Sequence, residues 1–185
     1  RRLRRFARDG DGGLTLETAL NIPMLLLFLA AGYVWFDAFR AQNLSLKATY
    51  TVSDMISRET VPLSENYLNG LNTVFDYMTR SGEPTQIRIT SVKCISDCAD
   101  EDERVLEMCW SWASGTTSPH TSDSLDEMEA AVPLMVLGDT VMITETFLRH
   151  DPAFNVMLEP MTVAQRIVMR PRFVPQVLFD DQSCY

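Results

Sequence analysis

Residues 19–36, ALNIPMLLLFLAAGYVWF, carry no charge and only Asn21 as a strongly polar side chain, and no other feature restricts this chain as much. Eighteen such residues fall within the roughly 17–25 that a helix needs to cross a bilayer. A soluble fold can hide a run of this length only as a central core helix. Here the strongest run stands near the front of a chain that is 46% hydrophobic overall, which favours a membrane segment. Residues 13–36 are predicted to form one transmembrane helix.

Charge sets its orientation. Arg1, Arg2, Arg4, Arg5 and Arg8 lie just ahead of the run, whereas Arg40 and Lys47 after it are fewer and more scattered. The positive-inside rule then puts residues 1–12 in the cytoplasm as a basic leader and residues 37–185 on the other side. Residues 1–13 hold five arginines against Asp9 and Asp11, a net +3; with the total at −9 and Glu17 negative, the remainder carries −11. An exported part this acidic is a poor partner for nucleic acid, which is bound through cationic contacts to phosphate. A cleaved secretory signal has an apolar core of roughly 7–15 residues followed by a small-x-small site. This run is longer and ends on Tyr33, Trp35 and Phe36, an aromatic belt of the kind found at membrane interfaces.

The order of an Arg-rich leader with Phe6, an acidic-glycine patch, a glutamate and an apolar run with an early proline is written as RRLRRFARDGDGGLTLETALNIP. It resembles type IV pilins, and more closely the TadE-like pseudopilins of the Tad (Flp) pilus system. In that family a prepilin peptidase cuts after a glycine, and a glutamate stands fifth in the mature chain. Gly12 as the last leader residue makes Gly13 the first mature residue and Glu17 the fifth; Gly13 in that place would make Glu17 the fourth. Pro23 lies where the family tolerates a proline. Thr18 departs from the pattern, since the residue after the glutamate is usually aromatic. Segments 132–154 and 166–176 also look like the strand and closing segments of TadE-like proteins.

Beyond the run, Ala41, Leu44, Ala48, Val52 and Met55 recur at helical spacing, and Pro62 removes a backbone donor. A helix from Leu14 to Val61 is expected, roughly 70 Å long at 1.5 Å per residue, half in the membrane and half projecting as the spine of the exported domain. The competing reading is a membrane helix followed by a separate surface helix. Ser64 caps a second helix with Leu68, Leu71, Phe75 and Met78 on one face. The period then changes to two: residues 86–95 and 104–113 read as strands, the second with Leu106, Met108, Trp110 and Trp112 on one face. The turn between them holds Asp97, Asp100, Glu101, Asp102 and Glu103, which is either solvated or a calcium site without EF-hand spacing. A Ser/Thr/Gly-rich loop leads to Ser124, whose spacing to Glu127 fits a capping box for a short helix ending before Pro133. Strands are expected at 139–148 and 162–170. The class is α+β: a long N-terminal helix, transmembrane half plus exposed half, packed on a small antiparallel sheet, which the resemblance implies is pilin-like.

Motifs for chemistry are sparse. The sequence has no phosphate-binding glycine loop, no G-x-S-x-G elbow and no metal-binding His/Cys spacing, so no cofactor or metal and no enzyme activity is expected. His120 and His150–Asp151 are too few and too scattered for a triad. Arg170 and Arg172 are expected in salt bridges or carbonyl bonds. Cys94, Cys98, Cys109 and Cys184 all follow the membrane run, and an even number in an oxidising compartment reads as disulfides. Zinc competes weakly. Three connectivities are open; Cys94 and Cys109 on neighbouring strands can meet across a hairpin, leaving Cys98 to hold the tail through Cys184.

The resemblance implies a non-enzymatic minor pilin or pseudopilin that assembles a Tad/Flp-type pilus for adhesion and surface attachment. Its partners would be the inner membrane, other pilin or pseudopilin subunits, the prepilin peptidase and the pilus assembly platform, with residues 37–185 in the periplasm. Glu17 would contact a neighbouring subunit. The alternative is a single-pass, membrane-anchored periplasmic binding or sensing module.

Overall fold

The computed structural model describes residues 13–154, 157–180 and 184; the expected leader, with Gly12, lies outside them. Helix α1 (Gly13–Ser57) runs without interruption through Pro23, so the apolar run and the helical stretch after it are one element. It stops short of Val61. The amides of Arg58 and Glu59 turn back to the carbonyls of Met55 (3.2 Å) and Ile56 (3.1 Å), and the amide of Arg172 donates to the Ser57 carbonyl at 2.8 Å. A tail segment thus takes a carbonyl that the helix itself leaves without a partner.

Contacts divide the chain into two units: α1 up to Phe39 with Asp151–Glu159, and Arg40–His150 with Pro160–Tyr185. The segment 151–159 thus groups with the apolar part of α1 and not with the strands it joins.

In the second unit, α2 (Glu65–Thr79) starts at Ser64, whose hydroxyl accepts from the Tyr67 amide, and ends at Arg80 in the left-handed region at φ 52°. It buries Leu68, Leu71 and Phe75. Strands β1 (Gln86–Ser96), β2 (Val105–Ala113), β3 (Thr140–His150) and β4 (Met161–Met169) form an antiparallel sheet in the order β2-β1-β3-β4. One core cluster joins Ala48, Val52 and Ile56 of α1 and the α2 stripe to Ile87, Ile89, Trp110, Trp112 and Met142. A second joins Val92, Cys94, Val141 and Ile143 to Leu125, Met128, Val132 and Met135. Since neighbouring strand residues point to opposite faces, Met142 between Val141 and Ile143 puts the clusters on the two sides of the sheet.

The α1 stripe is more polar than its apolar spacing predicts: Ser45, Thr49 and Ser53 are buried in it beside Ala48 and Val52. Thr49 bonds the Ser45 carbonyl (2.7 Å) and Thr146 of β3 (2.6 Å), but the Ser53 hydroxyl is buried with no partner among the described residues. An unpaired buried hydroxyl costs about 1–3 kcal/mol. Ser53→Ala should therefore raise stability by about 1 kcal/mol, read as a higher unfolding midpoint of the full chain in detergent; a lower midpoint would contradict the assignment.

Strand β2 departs from simple alternation. Ser91 pairs with Trp110 and Val92 with Met108, so Cys109 is an extra, bulged residue. A bulge reverses which side of the sheet the following residues meet. Trp110 and Trp112 therefore pack in the first cluster and Leu106 and Met108 against the second, not on one face as expected. The same bulge rules out the hairpin disulfide. Cys94 faces Leu106 in the register and lies in the second cluster, while Cys109 packs against the first. The bonds are instead Cys94–Cys98 (Cα–Cα 5.9 Å) and Cys109–Cys184 (Cα–Cα 4.7 Å).

The short helix α3 (Leu125–Glu129) has Ser124 at its N-cap, as expected, but without a capping bond from its side-chain hydroxyl. That hydroxyl is engaged one turn earlier, accepting from the Thr121 amide (3.1 Å) and donating to its carbonyl (2.8 Å); the Glu127 side chain lies outside the described residues. The tail returns to the core: Leu63 and Phe179 form a parallel bridge, the Trp110 indole donates to the Val177 carbonyl (2.9 Å), and the Phe179 and Trp110 rings lie 5.5 Å apart.

Candidate functional site

The apolar part of α1 is the first candidate. Leu20, Leu25, Leu26, Leu27 and Leu29 are exposed, as are Met24 (75%) and Phe28 (76%). A helix that presents large apolar side chains all round belongs in a membrane or at an interface. Among the described residues it is the helix long and apolar enough to cross a bilayer. Glu17 sits near its start and lines a shallow surface groove with Thr18, Asn21, Ile22, Met24, Leu25 and Phe28. Pro23, within this stretch, has no amide to give the Ala19 carbonyl four residues back. Of the two expected processing residues, Gly13 is the first described helical residue and Gly12 falls outside the description.

The second candidate was not visible as a cluster in the sequence. Glu145 at the centre of β3 lies directly opposite Arg88 of β1 and Arg166 of β4. Arg88 Nε donates to Oε2 at 2.6 Å, while Arg166 donates to Oε1 from Nη2 at 2.7 Å and from Nε at 2.9 Å. His120 Nε2 is 2.8 Å from Oε2. An ionised carboxylate only accepts, so the imidazole proton at that contact is on Nε2. Nδ1 faces the Ser124 hydroxyl at 3.0 Å. Arg88 also lies over the Phe147 ring, 5.5 Å from its centroid, and bonds the Ser118 carbonyl.

Glu145 is only 4% exposed. Burial by itself would raise its pKa, but the hydrogen bonds from Arg88, Arg166 and His120, with the Arg88 charge, outweigh that and hold it at about 2. A carboxylate so held is a weak base. Its donors come from β1, β4 and the loop through His120, so it ties three separate segments together. The loop is fastened further by Gln86 Nε2 to Thr116 (2.7 Å) and by the His120 amide to the Ser111 hydroxyl (3.0 Å).

The remaining candidates are structural. In the acidic turn, Asp100 accepts from the Asp102 amide and Arg104 bonds the Asp100 carbonyl. No group of three metal-ligating side chains forms there or elsewhere among the described residues. The buried Arg104 guanidinium bonds the carbonyls of Glu129, Val132 and Pro133 and the Glu129 carboxylate. Arg170 pairs with Asp139, and Arg172 pairs with Asp54 at 2.6 Å. Comparison with protein-family models, with curated proteins and with solved structures yields no match for this chain.

Proposed function

We propose that this chain is a non-enzymatic minor pilin or pseudopilin of a Tad/Flp-type pilus, anchored in the inner membrane by the apolar part of α1 with its sheet domain in the periplasm. The observation that carries the reading is Glu17 near the start of a helix whose apolar side chains are exposed. A charge at the bilayer centre costs ~2.5–3.5 kcal/mol, and less towards the interface, so its presence in such a helix calls for a pairing partner. The reading supplies one: the mature N-terminal amine of an adjacent subunit, created by cleavage after Gly12. The two disulfides fit an oxidising compartment.

N-terminal sequencing of protein from peptidase-positive cells is expected to begin at Gly13. Glu17→Ala should leave membrane insertion intact and abolish pilus assembly. A C-terminal alkaline phosphatase fusion should be active. An uncut N-terminus with normal assembly in the Glu17 variant would leave a single-pass anchor for a binding or sensing domain.

A further inference from the structure

The segment joining β3 to β4 is unlike the other connections. Its residues 151–159 group with α1 up to Phe39. The Phe154 ring meets Tyr33 edge-on, with centroids 6.3 Å apart and planes at 63°. Even so, Phe154 is 53% exposed and Met157 76%. Tyr33 precedes Asp37, the first charge after the apolar run, by four residues, which at 1.5 Å per residue puts the contact roughly 6 Å to the membrane side of that charge. Trp35, Phe36 and Phe39 are exposed on the helix around it, forming the aromatic belt expected where a helix leaves the hydrocarbon.

We infer that the β3–β4 loop is a second membrane contact, with Phe154 and Met157 inserted at the headgroup–acyl boundary of the bilayer that α1 crosses. The inference rests on α1 being the membrane anchor. Continuity selects lipid as the occupant: Phe154 packs on the helix where the helix's own surface is apolar and open. The charge pattern is consistent with this, since the acids Asp151 and Glu159 stand at the two ends of the segment and Ala153, Phe154, Met157 and Leu158 lie between them. Residues 151–159 contain no Lys or Arg, so insertion depends on apolar burial and needs no anionic lipid. Together, helix and loop make two attachments and hold the loop at a fixed depth.

The test uses the full chain in phosphatidylcholine vesicles, with tryptophan fluorescence quenched by phosphatidylcholine brominated on its acyl chains. Trp35 in the unaltered protein reports the anchor, and Trp35→Phe leaves Trp110 and Trp112, both buried in the sheet domain, as the background. Adding Phe154→Trp to Trp35→Phe should restore a loss of emission comparable to that of Trp35. Met157→Trp in the same background serves as a second probe should the first variant misfold. Quenching of Trp35 with none at either loop position overturns the inference and spares the anchor. Loop tryptophans shielded from both brominated lipid and aqueous acrylamide point to cover by a second copy of the chain and likewise overturn it. Failure to quench Trp35 itself defeats the anchor reading and this inference with it.

Discussion

Replacing Glu145 by alanine should cost the sheet domain about 3–5 kcal/mol, the loss typical when one partner of a buried ionic group is removed and its mates are left unpaired. Arg88 and His120 are both largely buried against Glu145, and Arg166 adds its two bonds to the same carboxylate. The alanine strands those donors in a site closed by the loop that carries His120. Glu145→Gln, which keeps the shape and one acceptor oxygen, should cost less. Unfolding of the full chain in detergent, followed through Trp110 and Trp112, distinguishes the two; equal small losses would mean that solvent reaches the arginines freely.

The same carboxylate gives a pH dependence of definite sign. Its folded pKa, about 2, lies below the ordinary value of 4.5, so the folded state binds fewer protons than the unfolded state across that interval. Its stabilisation is fully present above about pH 4.5 and drains away as the pH falls towards 2. The stability gap between wild type and Glu145→Gln should accordingly narrow over that window and stay constant at neutral pH. A gap unchanged from pH 6 to pH 2.5 would show that Glu145 is not held ionised.

Legibility of this fold followed the strength of periodic signals. The apolar run is readable as an unbroken uncharged stretch, the Leu68–Leu71–Phe75 stripe by the helical spacing of one buried face, and the four strands as short runs bounded by turn residues. Three features left no such mark. The bulge at Cys109 inserts a residue into an alternating strand, and alternation extrapolated through it puts Leu106 and Met108 on the wrong side and invites the wrong disulfide. The buried hydroxyls on α1 escape a count restricted to apolar residues. The Glu145 cluster is non-local: Arg88, His120, Glu145 and Arg166 are each ordinary charged or loop residues until the strand register sets them opposite one another. An isolated charge within a strand, as at Arg88, Glu145 and Arg166, has no periodic mark of burial, and the loop that carries His120 onto Glu145 is distant in sequence. The grouping of segment 151–159 with the apolar part of α1 leaves no mark for a related reason, because a short apolar stretch between two strands has no period to read.

The disulfides offer the other large effect, and their two loops differ enough to separate them. In the chain-entropy account a cross-link stabilises by restricting the unfolded state, and the effect grows with the logarithm of the loop it closes. Cys109–Cys184 spans 75 residues and Cys94–Cys98 spans four. The long loop should contribute about 4 kcal/mol and the short one about 2 kcal/mol. The long bond also retains the tail that carries Val177 and Phe179 onto Trp110 and supplies the Leu178 carbonyl to the Leu63 amide. Replacing both Cys109 and Cys184 by serine should therefore lower stability by about 4 kcal/mol and expose the tail to protease before the sheet unfolds. Cys94→Ser with Cys98→Ser acts differently: it places hydroxyls in the second core cluster, so its cost combines the short loop with burial of polar groups. Partial reduction resolves the two contributions without substitution. Peptide mapping of unreduced protein should recover Cys94 with Cys98 and Cys109 with Cys184, and reduction of the second bond alone should release the tail while the sheet remains folded. Recovery of Cys94 with Cys109 would mean that the β2 bulge is absent and Leu106 and Met108 share a face with the tryptophans.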